Sequence, residues 1–185
     1  EKFVQKYTGE NSGGTVKYDD EKVIDKFDLF PSTNFIYSIK ENTNLRLSYS
    51  KTTARPSFKE VSIAEIYDPL SNMTFNGNID LKPSYIDNID IRYEIFGEDN
   101  QLFAVSGFYK SFKDPIELTY YEASTENFQP RNLGNAKVFG LEFEMRRQIS
   151  KSFGVNVNAS VIESQQEYGE SERNLRTLGL RDGES

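Results

Sequence analysis

Large apolar residues recur at every second position in five separate stretches of the chain. They fall at Phe35, Tyr37 and Ile39, at Leu45, Leu47 and Tyr49, and at Ile89, Ile91, Tyr93 and Ile95. The spacing returns at Phe139, Leu141, Phe143 and Met145, and again at Val155, Val157, Ala159 and Val161. Period two places successive side chains on opposite faces of a strand, so each stretch predicts a strand with one apolar and one polar face. A sixth stretch, Leu102 to Phe112, is aromatic and β-rich, but its blurred alternation leaves its facing open. The pattern predicts an all-β, antiparallel chain with main strands over residues 27–40, 44–54, 85–96, 101–121, 137–149 and 153–166.

The connections alternate in length. Residues 40–44, 97–100 and 150–152 are short polar turns, whereas 55–84 and 122–136 are long, and polar segments 1–26 and 167–185 flank the set. In an up-and-down meander, alternate connections emerge at opposite ends of the strands. Every short turn then sits on one rim and every long loop on the other. Strands of roughly 10–14 residues with this asymmetry match outer-membrane barrels, with short periplasmic turns and long outer loops. Asp90, Arg92 and Glu94, with Glu142, Glu144 and Arg146, would then line a wet lumen. A soluble sandwich would break the sorting by rim with Greek-key crossovers. Six strands are fewer than the roughly eight that the smallest such barrels need. The chain therefore reads as an excerpt from the interior of a larger barrel.

Composition narrows the chemistry. The 185 residues contain no His, Cys or Trp, and 29 acids outnumber 22 bases for a net charge of −7. Imidazole catalysis, thiolate chemistry, disulfides and Cys/His metal sites are excluded. An acidic chain without a basic cluster does not suit nucleic acid. The longest apolar run, Leu102–Val105, is far short of the ~18 residues of a membrane helix. Glu142 and Glu144 lie about 7 Å apart on one strand face, a carboxylate pair, but lumen charges are ordinary in a wet barrel. Asp19-Asp20-Glu21 is a solvated acidic run matching no calcium loop. No catalytic residue, metal site or cofactor is expected, and the chain is not read as an enzyme.

The long loops hold the candidates for ligand contact. Loop 55–84 combines Phe58 and Tyr67 with Asp68, Asn72 and Asn76, and the next loop adds Phe128, Gln129 and Arg131. Aromatic faces can stack while amides and carboxylates fix orientation, a mixture suited to small-ligand sites. Tyr120 and Tyr121 read as an aromatic girdle where a strand leaves the membrane. Arg55 and Lys82 read as rim ion pairs, and Pro56 and Pro83 as residues that set chain direction.

Several of these segments resemble TonB-dependent outer-membrane receptors of the Bacteroidetes type. The stretch Leu45–Phe58 ends in the "ARPSF" of that family, followed by Gly77-Asn78 with Leu81-Lys82-Pro83 and by Asp87-Asn88-Ile89-Asp90-Ile91-Arg92-Tyr93-Glu94. Phe108-Tyr109-Lys110 with Asp114-Pro115-Ile116-Glu117, and Asn132 through Glu142, resemble two further strands. The resemblance covers roughly residues 27–166 and implies the C-terminal part of a barrel, without plug or final strands. It implies a cell outer-membrane receptor importing a scarce nutrient (glycan, siderophore, cobalamin or peptide). The implied partners are the TonB-ExbB-ExbD complex acting through the absent plug, outer-membrane lipid, and a surface lipoprotein over the loops. A soluble extracellular β-domain with binding or adhesive loops is the main alternative, and a passive porin a weaker one.

Overall fold

The structure, a computed structural model, describes residues 1–11, 13–98, 100–121 and 124–167. It is all β among those residues. The strands are β1 (Lys2–Glu10), β2 (Lys17–Phe27), β3 (Ser32–Lys40), β4 (Thr43–Ala54), β5 (Glu65–Asp68) and β6 (Met73–Asn76). They continue as β7 (Ser84–Phe96), β8 (Leu102–Lys113), β9 (Ile116–Tyr121), β10 (Ser124–Asn132), β11 (Asn135–Ser150) and β12 (Phe153–Gln166).

Six of them build a wall in the order β12-β11-β8-β7-β4-β3, every neighbour antiparallel. Their register runs one row straight across the sheet through Phe35, Leu47, Ile91, Gly107, Leu141 and Val161. The next rows on this face join Tyr37, Leu45, Tyr93, Val105, Phe143 and Ala159, then Tyr49, Ile89, Tyr109 and Phe139. Most of these side chains are exposed, including Phe35, Leu47, Ile91, Leu141 and Val161. A contiguous apolar face of this extent is uncovered in water but matched by lipid. The opposite face carries Ser48, Asp90, Arg46, Arg92, Ser106, Glu142, Asn44, Glu94 and Glu144, interrupted by Ile36, Phe108 and Ile162.

The register also settles β8. Phe103, Val105, Gly107 and Tyr109 share the apolar face, and Ala104, Ser106 and Phe108 the polar one. Its alternation is blurred because a glycine sits among the apolar residues and a phenylalanine among the polar ones. Phe108 compensates by covering Gly140 directly opposite. A Cβ at Gly140 would stand 2.7 Å from the Phe108 ring, so a larger residue would expel it.

Differences from the sequence expectation collect on the long-loop rim. Residues 1–26, read as a polar loop, form the antiparallel hairpin β1–β2. Its apolar residues are sparse among charges, but Ile24 is buried with Val61 and Leu81, flanked by Phe3, Val23, Ile79 and Ile116. Residues 101–121, read as one strand, break between β8 and β9 at Asp114-Pro115. Asp114 has φ +54°, and a proline nitrogen cannot donate to the ladder. The loop segments 55–84 and 122–136 contain β5, β6 and β10, which join β9 in a second sheet of order β5-β6-β10-β9. Within it β6 and β10 pair in parallel over Asn127↔Thr74 and Phe128↔Phe75, an exception to the antiparallel meander. The predicted loop 167–185 lies, beyond Glu167, outside the described residues.

Candidate ligand-binding site

The outer sheet is assembled from two loops far apart in sequence, and side chains bolt it to the wall. The Asn132 amide accepts from the Lys82 backbone N–H at 2.8 Å and donates to the Lys82 and Asp114 carbonyls at 2.9 and 2.8 Å. Asn78 donates to the Pro130 carbonyl at 3.0 Å, and the Ser84 hydroxyl to the Asp114 carbonyl at 2.7 Å. Gly77 leaves no room for a side chain, since a Cβ there would lie 2.4 Å from the Ser62 carbonyl oxygen. Arg55 pairs with Glu1 at 3.0 Å and lies over the Phe3 ring, tying loop 55–84 to the β1–β2 hairpin.

Strand pairing sorts the candidate residues onto two faces. Ile66, Phe75, Phe128 and Tyr120 occupy one row across all four strands. Phe128 stacks on Tyr120 with ring centroids 5.1 Å apart, and Lys59 Nζ stands 4.3 Å from the Phe75 centroid. Tyr120 thus belongs to the outer sheet, past the break at Pro115, rather than to a girdle at the strand's exit. The alternate positions Glu65, Thr74, Asn76, Asn127 and Gln129 line a polar cleft of about 350 Å³, completed by Ile63, Ala64 and Gly77. Phe128 therefore faces away from the amides Asn76 and Gln129, whereas Tyr67, paired with Thr74, shares the polar face.

The remaining candidates serve the loop as well as solvent. Tyr67 donates its hydroxyl to the Asn72 amide oxygen at 2.9 Å, closing the β5–β6 turn, and Asn72 has φ +56°. Asp68 accepts from the Leu70 N–H and the Ser71 hydroxyl, each at 2.9 Å. Those bonds, the Leu70 N–H first, hold its carboxyl below the usual range. Gln129 donates to the Gly77 carbonyl at 3.3 Å and accepts from Arg131 Nε at 3.3 Å. The Asn76 amide nitrogen is buried without a hydrogen-bond partner. Phe58 is largely exposed and outside the cleft. Sequence reasoning missed Glu65, Thr74, Phe75 and Asn127, whose roles arise only from the parallel β6–β10 contact.

The lumen face holds a chain of charges. Glu94, only 3% exposed, accepts from Arg46 and from Arg92, the latter at 3.0 Å. Arg92 also donates to the Ser106 hydroxyl at 3.1 Å and to Glu144 at 2.8 Å. It reaches Glu144 on β11 because β8, lying between, presents only Ala104 and Ser106 there. Glu144 is thus a partner in a structural network, which removes it from any free carboxylate pair with Glu142.

An apolar outer face, a charged inner face and folded loops on one rim define the wall of an outer-membrane barrel. The chain belongs to the outer membrane protein beta-barrel family, whose model matches residues 7–180. No curated protein matches it. Among solved structures it is similar to the siderophore receptor PirA from Pseudomonas aeruginosa. The two share 16% identity over 74% of this chain and 28% of that one, with a TM-score of 0.64. A ferric enterobactin receptor mutant from the same organism, in complex with enterobactin, matches at 18% identity over 76% and 22%, TM-score 0.60. PirA from Acinetobacter baumannii gives 14% identity over 72% and 22%, TM-score 0.55. The chain spans about a quarter of the length of these structures, and the likeness is one of fold. Its location is the cell outer membrane, and its family and neighbours are barrels and receptors, not enzymes.

Proposed function

We propose that the chain is the wall and outer vestibule of a larger outer-membrane receptor that captures a scarce nutrient and imports it with TonB-derived energy. The observation that carries this reading is the two-tier build: a six-stranded wall, open at β3 and β12, crowned on one rim by a sheet with its own polar cleft. The remaining strands, and a plug that TonB-ExbB-ExbD would pull, belong to the rest of the protein. Asn76 and Gln129 in the cleft, and Phe128 in the aromatic row, are the predicted residues best placed to meet a ligand. Tyr67, Asp68 and Asn72 shape the turn beside them, and Arg131 orients Gln129. A surface lipoprotein would meet this same crown, whose tip residue Leu70 is 96% exposed. A passive porin would need neither a folded crown nor energy coupling.

The test is growth on a panel of single limiting nutrients, with the parent gene deleted and, separately, with TonB deleted. Both deletions should abolish growth on the same nutrient. Growth that needs the parent protein but not TonB would establish the porin instead.

A further inference from the structure

We infer that the polar cleft takes a neutral polyhydroxylated ligand, a sugar unit, rather than an anionic iron chelate. This rests on the receptor reading above and assigns the ligand class to its cleft. The lining supplies hydroxyl-matching groups of both kinds. Asn76 and Asn127 offer amide donors and acceptors, Thr74 a hydroxyl, and Glu65 a carboxylate that accepts from hydroxyl groups. No Lys or Arg lines it. An anionic chelate entering it would meet the Glu65 carboxylate, a juxtaposition costly in a partly desolvated site. Arg131, which bonds to the lining, is already engaged by the Gln129 amide oxygen at 3.3 Å.

The surroundings carry the same sign. Loop 55–84 has four acids to three bases, and residues 114–134 have four acids to one. Of the bases, Arg55 is committed to Glu1, Lys59 stands over Phe75 on the aromatic side of the sheet, and Arg131 donates to the Gln129 amide oxygen. Such a rim repels anions and is indifferent to neutral solutes. The volume, about 350 Å³, has room for one sugar ring. The buried, unpartnered Asn76 nitrogen gives the cleft a donor that a ligand oxygen at its floor would satisfy.

The experiment uses the full-length parent protein in detergent, its fold checked by the heat-dependent shift in gel mobility. Binding is measured to an array of neutral oligosaccharides and, separately, to ferric enterobactin as the anionic chelate. Wild type should bind at least one neutral oligosaccharide, and Asn76→Ala and Asn127→Ala should each weaken that binding on the order of tenfold, as loss of one hydrogen bond to a ligand does. Asn127→Ala guards against a folding effect of the Asn76 change, because Asn76 is the more buried group. Ferric enterobactin binding that falls in both variants would overturn the ligand class while leaving the vestibule site standing. Oligosaccharide binding untouched by either variant, or no binding to any neutral oligosaccharide, would overturn the assignment of this cleft.

Discussion

The wall and the crown obey different rules of assembly. In the wall, strands pair with near neighbours in sequence, and position in the row decides whether a side chain meets lipid or lumen. In the crown, β6 pairs with β10 across some 50 residues, in parallel, for only two residue pairs. That contact cannot be strong by itself, so side-chain bonds from Asn78 and Asn132 to backbone hold it in place. A small buried cluster of Ile24, Val61 and Leu81 adds the apolar term. The wall is thus stabilised by its solvent and its ladder, the crown by a few specific residues. Substitutions should separate the two.

The largest effect is expected in the wall. Ile91→Lys puts a charge in the middle of the lipid-facing rows and should cost about 3–4 kcal/mol of barrel stability. Urea unfolding in lipid vesicles would measure it, and an unchanged midpoint would mean that this face does not meet lipid. Next comes Glu94→Ala, which leaves Arg46 and Arg92 side by side without their shared carboxylate. About 3 kcal/mol should be lost, at the lower end for a broken buried pair because the lumen is wet. Glu94→Ala should lower the temperature at which the compact gel band disappears, with crown proteolysis unaltered.

Leu81→Ala acts on the other tier. It should cost about 2 kcal/mol within the crown and expose the β1–β2 hairpin to protease while the wall's unfolding midpoint stays put. A parallel fall in both would show that the tiers unfold as one unit. The smallest effect concerns Asp68. Its carboxyl is held below the usual range by the Leu70 N–H and the Ser71 hydroxyl, so its contribution to the turn is present above the ordinary carboxylate pKa. That contribution is lost as pH falls through the lowered value. Cleavage of the β5–β6 turn by an acid-active protease should rise only in that acidic range, and Asp68→Asn should erase the pH dependence.

The same division decides what the sequence reveals. Ile89, Ile91, Tyr93 and Ile95 announce their strand because lipid and lumen impose one alternation on every turn of the meander. Three of the five pairings within the wall follow from short turns such as that between Lys40 and Thr43, while β4–β7 and β8–β11 join across the long loops. Nothing local tells Phe75 that Phe128 will be its neighbour. Their pairing depends on Asn78 and Asn132 meeting distant backbone, so the aromatic row and the polar cleft were both illegible. Gly77 and Asn78 stand out as motif residues, yet their spacing says only that a special backbone is needed there, not that Ser62 and Pro130 are what they meet. The β1–β2 hairpin was hidden for a simpler reason. Of its few apolar residues Ile24 alone is buried, against Val61 and Leu81, and charges such as Lys2, Asp20 and Asp25 fill much of the rest.

In the proposed receptor the crown faces outside the cell and the short turns face the periplasm, with the wall between them in lipid. These 185 residues contain no cysteine, so single cysteines introduced here report on this arrangement once any cysteine elsewhere in the parent protein is replaced. Leu70→Cys at the crown tip and Ser152→Cys in the β11–β12 turn would each be placed in the parent protein. Intact cells would then be treated with a membrane-impermeant maleimide. Leu70→Cys should label in intact cells, and Ser152→Cys only after the outer membrane is permeabilised. Labelling of Ser152→Cys in intact cells, or protection of Leu70→Cys there, would contradict the sorting of loops and turns onto opposite rims.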